Sequence, residues 1–178
     1  MMPQADYRIT KAKLSDIDEL LADLRQADAD EMEALSFSCP HTTVAQSIAL
    51  SPKAYTLRVE GELVCIFGVG MLSMIGPEGA PWLLGTNAIK RHRRLFLELS
   101  KPISTHLLSK YAHLRQLVDV RNRLSVRWLK WLGFDFNGPI EAGHNGELFF
   151  VVTMENDLCA LPRVPTELQE QDLSKQAC

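Results

Sequence analysis

No run of apolar residues in this 178-residue chain approaches the roughly 20 needed to cross a bilayer. The richest stretch, residues 64–74, is interrupted by Gly68, Gly70 and Ser73, so no membrane span is expected. The first 13 residues lack the apolar segment of a secretory leader, and none is expected there. Cysteine is sparse and scattered. Cys39, Cys65, Cys159 and Cys178 form no CxxC pair and no Cys/His set at ligand spacing, which fits a reducing cytoplasm and makes Cys65 a small core residue. His41, His92, His106, His113 and His144 form no ligand pattern either, and no metal is expected. There is no positive excess: the net charge is −3, which argues against nucleic acid as a general partner. Internal repeats and low-complexity linkers are also missing.

What is present is a globular composition, 46% hydrophobic and 23% charged, enough for one well-filled core and too short for two ordinary domains. Residues 1–158 read as that domain, and the polar, proline-bearing residues 159–178 as a tail suited to partner contacts. Residues 7–10 read as a strand. Ser15, followed by Asp16, Asp18 and Glu19, reads as a helix start, with Ser15 as its cap. Further helical stretches cover about 27–35 and 40–50. Residues 54–59 and 63–71 read as a hairpin around Glu60-Gly61-Glu62. Residues 80–84 read as a strand and 89–111 as a helix with a break at Pro102. A strand at 114–120, a helix at 125–132 stopped by Gly133 and a strand at 148–154 complete the order. That order predicts an α/β or α+β domain with a mixed, mostly antiparallel sheet flanked by helices.

The segment 117–134 carries the most specific pattern. Asn122 follows a strand, and a helix then runs to Gly133-Phe134, with Asn122 eleven residues before Gly133. Asn122 suits a helix cap, and Gly133 a left-handed stop that folds Phe134 back onto the sheet. This unit resembles the last strand–helix element of the GNAT acetyltransferases. A closer resemblance is to GNAT-like proteins of bacteriophages, including internal virion proteins of short-tailed phages. It is carried by residues 24–31 (LRQADADE), 82–86 (WLLGT) and 119–134.

The resemblance implies a GNAT fold over residues 7–154, with acetyl-CoA as the possible cofactor. It places Leu84, Gly85, Thr86 and Asn122 at the cofactor site, and Glu78 as the one candidate base near the central strand. The family's phosphate loop, Arg/Gln-x-x-Gly-x-Gly/Ala, is reduced here to Gly85 alone. Leu129 stands where many members carry the tyrosine that protonates the departing thiolate. Arg91, Arg93 and Arg94, in the chain's one dense basic cluster (Lys90–Arg94), are candidates for a phosphate or partner contact, or else a solvated basic turn. Arg25, Asp28 and Glu31 are candidates for the acceptor side, or else an exposed ion-pair ladder.

Two functions follow from the resemblance. One is a phage-encoded virion or assembly component with a degenerate acyltransferase site, acting through a phage or host protein in the host cytoplasm or the virion. The other is an active acetyl-CoA-dependent N-acetyltransferase modifying a host protein or a small amine.

Overall fold

The structure, a computed structural model, describes residues 6–71 and 78–156; the expected tail, with Cys159 and Cys178, lies outside them. Seven strands form one sheet: β1 (Tyr7–Lys11), β2 (Lys53–Val59), β3 (Glu62–Met71), β4 (Glu78–Gly85), β5 (His113–Asp119), β6 (Asp135–Glu141) and β7 (Leu148–Glu155). Their spatial order is β1-β2-β3-β4-β5-β7-β6, antiparallel throughout except for the parallel pair β4–β5. The expected mixed, mostly antiparallel sheet is what forms.

Helices cover both faces. On one, α1 (Asp16–Ala22) and α3 (Pro40–Leu50) bury Ile17, Leu20 and Val44 against Ala54, Leu63 and Ile66. On the other lie α4 (Ala88–Arg91), α5 (Arg93–Leu108) and α6 (Arg123–Leu132). There Ile89 and Phe96 pack on Leu57 and Cys65, while Leu129 and Phe134 pack on Leu114, Val118 and Val152. Cys65 and Ile66 face opposite clusters because successive strand residues alternate. Helix α2 (Gln26–Leu35) buries little apolar surface, only Met32 and Ala34 among its residues, so another kind of contact must hold it. Among the described residues, no helix is long and apolar enough to cross a membrane.

Local signals explain the joints. The β2–β3 hairpin closes on Glu60 and Gly61, both at positive φ (52° and 84°), the twist a two-residue hairpin requires. Asn122 caps α6 by accepting from the Ser125 N–H at 3.3 Å. Gly133, at φ 101°, ends it, with its N–H and that of Phe134 returning to the last carbonyls. A Cβ on Gly133 would meet only Met154 Cε at 3.9 Å, so the cost of adding one is backbone strain alone. Gly133→Ala should destabilise the fold by about 1 kcal/mol, read from the denaturant midpoint.

Three local readings need correction. Ser15 is itself helical (φ −65°) and makes no side-chain cap; Asp16 accepts from the Lys13 N–H instead. The helix after β4 breaks at His92 and not at Pro102, which lies exposed within an unbroken α5. Strand β6 was not expected, because Asp135, Asn137 and a Gly138-Pro139 bulge hide its alternation.

Candidate functional site

Strands β4 and β5 pair only at their beginnings, Glu78 with His113 and Gly79 with Leu114. Beyond those rungs the sheet splits into a V. Strand pairing alternates residue by residue, so the open edge can be identified. Gly85 turns away from β3, since its N–H donates to Asp28 and its carbonyl accepts from the Arg25 N–H. Leu83 and Pro81 therefore point the same way. Pro81 has no N–H to lose there, which is why a proline is tolerated in a central strand. Leu83 presents a free peptide edge to the opening.

Helix α2 bridges the V through its acids. Asp28, buried, accepts the Gly85 N–H at 2.8 Å and ties off the end of β4. One helical turn on, Glu31 Oε2 accepts from the Asp119 N–H at 3.4 Å, at the end of β5, and from Asn122 Nδ2 at 3.2 Å. Arg25 clamps Asp28 through two bonds of 2.9 and 2.5 Å and reaches Ser125 Oγ of α6 at 3.4 Å. Arg25, Asp28 and Glu31 are thus no exposed ladder. They join the two arms of the sheet to each other and to α6.

Burial is the largest influence on the Glu31 carboxyl and raises it to about 7; Asp28 and Asp119 add to the rise, against the hydrogen bonds from Asn122 and the Asp119 N–H. Asp119 goes the other way. Burial would raise it, but hydrogen bonds from the Arg121 side chain and backbone outweigh that and hold it below its ordinary value.

A cavity of about 530 Å³ runs through the V. On the α5–α6 side its wall is apolar, with Phe67, Leu83, Phe96 and Trp128. On the α2 side it meets Arg25, Asp28 and Glu31, the two carboxylates being the only ones in its lining. The inward face of α5 carries Ser100 and Ser104 between Phe96 and Leu107. Two small residues in that row leave room that leucines would have filled. Lys90 and Arg93 stand at the α4–α5 end. The break at His92 starts a new helix, so the first N–H groups of α5 have no intrahelical acceptor.

The expected site residues are divided by this geometry. Asn122 lines the cavity. Leu84 packs on the α1–α3 face, away from it. Thr86 is structural: its hydroxyl donates to the Leu63 carbonyl at 2.7 Å and accepts from the Ala88 N–H. Gly85 sits against side chains: a Cβ there would displace the tip of the Ile89 side chain and lie 3.3 Å from Arg25 Nε. Within the basic cluster Arg91 pairs with Glu62, Arg94 with Glu98, and Arg93 faces the cavity. Glu78 is exposed at the closed end of the V and lines a separate hollow beside His113 and Glu155, so the structure does not bring it to the opening. Leu129 is buried in the α6–β5 core. No trio of His, Cys, Asp or Glu among the described residues is arranged to hold a metal.

A mixed seven-stranded sheet split between two parallel strands, with helices on both faces, is the GNAT acetyltransferase fold, and the chain has it. No protein-family model and no curated protein sequence matches the chain. Solved structures do. RimL, a ribosomal L7/L12 alpha-N-protein acetyltransferase in complex with coenzyme A, is 12% identical with a TM-score of 0.64, over 85% of this chain and 94% of its own. An N-acetyltransferase from Staphylococcus aureus Mu50 is 13% identical with a TM-score of 0.64, over 84% and 98%. The ribosomal-protein-S18-alanine N-acetyltransferase from Escherichia coli is 13% identical with a TM-score of 0.60, over 88% and 100%. At these identities the likeness establishes the fold.

Proposed function

We propose that this chain is an acyl-CoA-dependent N-acyltransferase, with acetyl-CoA as donor and a primary amine as acceptor. The observation that carries this reading is the open V: a cavity lined by Leu83, with its free peptide edge, by the apolar residues of the α5–α6 side and by Arg25, Asp28 and Glu31. The donor supplies an acyl thioester. Leu83 N–H suits its carbonyl oxygen, the α5–α6 wall suits its thin apolar arm, and Arg93, Lys90 and the first N–H groups of α5 suit its phosphates. These groups stand in for the reduced glycine loop. The acceptor amine enters from the α2 side.

Calorimetric titration with acetyl-CoA tests the reading, with a Kd on the order of micromolar, about −8 kcal/mol, as the expected result. Arg93→Glu should weaken binding roughly tenfold, about 1.4 kcal/mol. Arg94→Glu should leave it unchanged, because Arg94 is exposed, pairs with Glu98 and is not in the cavity lining.

A second reading, a binding component of a phage virion or of a host-protein complex with a silent site, is favoured by Leu129, an apolar residue where many GNAT enzymes carry the proton-donating tyrosine. Absence of binding at millimolar acetyl-CoA selects it. The α5–α6 side of the molecule would then be searched for a protein partner.

A further inference from the structure

Glu31 is more than a tie between the arms of the sheet. Its two oxygens are differently engaged. Oε2 takes both hydrogen bonds, from the Asp119 N–H and from Asn122 Nδ2. Oε1 has no partner, and since no partnerless polar side-chain atom is sealed away among the described residues, it is open to solvent. Glu31 lines the cavity on the side opposite the apolar wall. Of the two carboxylates in that lining, Asp28 is occupied by Arg25 and the Gly85 N–H. Glu31 alone offers a free oxygen on a fixed carboxylate.

We infer that Glu31 is the general base of the acyl transfer, taking a proton on Oε1 from the acceptor's ammonium group while Oε2 stays anchored to β5 and α6. This rests on the acyltransferase reading. One proton passes from the ammonium to Oε1 and on to solvent. The freed nitrogen attacks the thioester carbon, the C–N bond forms and the C–S bond breaks. The nitrogen's second proton goes with the departing sulfur, which leaves as the thiol. Leu129 supplies none of these protons.

The surroundings suit the task. The charged groups acting on Glu31 are Asp28 on its own helix, itself paired with Arg25, and Asp119 at the end of β5, with Asn122, the cap of α6, as the polar neighbour. Burial with two nearby carboxylates holds the group close to neutrality, where a base is both ionised and strong enough to act.

The test compares the unsubstituted chain with Glu31→Gln, which keeps the shape and an acceptor for both anchors. Three readouts are taken: calorimetric binding of acetyl-CoA, ¹³C NMR titration of the glutamate carboxyls, and thiol release from acetyl-CoA. Spermidine and a peptide with a free alanyl N-terminus serve as acceptor probes. The expected result is unchanged acetyl-CoA binding and loss of one carboxyl signal titrating near 7. Thiol release should fall roughly 10²- to 10⁴-fold, and the inflection near 7 in its pH profile should disappear, leaving only the rise that follows the acceptor amine's own deprotonation. Equal rates and pH profiles in the two chains overturn the assignment while leaving acyl-CoA binding in place. No thiol release by the unsubstituted chain with either amine overturns it as well. No binding of acetyl-CoA by the unsubstituted chain removes the acyltransferase reading, and the base with it.

Discussion

Asp28→Ala is expected to destabilise the protein by roughly 3–5 kcal/mol, the cost of leaving one member of a buried ion pair alone. The Arg25 and Asp28 side chains are only 13% and 5% exposed. Without the carboxylate the guanidinium keeps one long bond, to Ser125 at 3.4 Å, and the Gly85 N–H loses its acceptor inside the fold. For a chain of this size the melting temperature should fall by roughly 6–20 °C. Asp28→Asn should lie between, because its amide oxygen still serves Gly85 but carries no charge for Arg25. The double variant Arg25→Met/Asp28→Ala should lose less than the two single losses added together, since the unpaired cation is gone. A melting temperature for Asp28→Ala within about 2 °C of the parent would mean that water replaces the pair at no cost, and that α2 does not hold β4 in place.

This pair also marks where sequence reasoning stopped. The Glu60-Gly61 hairpin and the Asn122-to-Phe134 unit were legible because their signals are local: a positive-φ turn, an amide cap and a glycine stop. The likeness of 117–134 to the GNAT pattern rests on such signals, which is why the fold class could be read from so little. The V could not be read in this way, because it is a failure of two distant strands to pair. One clue was present. Pro81 within an apolar strand requires a neighbour that needs no hydrogen bond. Helix α2 misled for a different reason. Its acids at spacings of two and three, with few apolar residues, have the composition of a solvated helix. What holds it is the set of backbone N–H groups that the split sheet leaves unpaired, and those exist only once the fold does. The basic cluster was half-resolved for the same reason. Its acidic partners Glu62 and Glu98 set Arg91 and Arg94 aside, and only long-range geometry turns Arg93 to the opening.

Glu31→Gln should stabilise the protein at pH 8 and do little at pH 5. The folded carboxyl is raised to about 7 from an ordinary value of 4.5. Between those values the native state keeps a proton that the unfolded chain has released. Stability from this group is therefore fully present below about 4.5, falls as pH rises, and is gone above about 7. The amide of the glutamine variant never titrates, so the variant escapes the fall. The expected gain at pH 8 is roughly 1–3 kcal/mol, less than the full shift implies because Glu31 is partly open to the cavity. Urea midpoints of the two chains at pH 5, 6, 7 and 8 measure it, and groups common to both cancel in the difference. The carboxyls held low, such as Asp16 and Asp119, lose their contribution only as pH falls through lower values and leave this window untouched. Parallel curves from pH 5 to 8 would show that Glu31 ionises as an ordinary surface acid. A carboxylate that weak would make a poor base for an ammonium group. A gain at pH 8 that vanishes at pH 5 would place a strained, ionised carboxylate between the arms of the sheet at neutral pH. The protein would then be giving up stability to keep a proton acceptor open in its cleft.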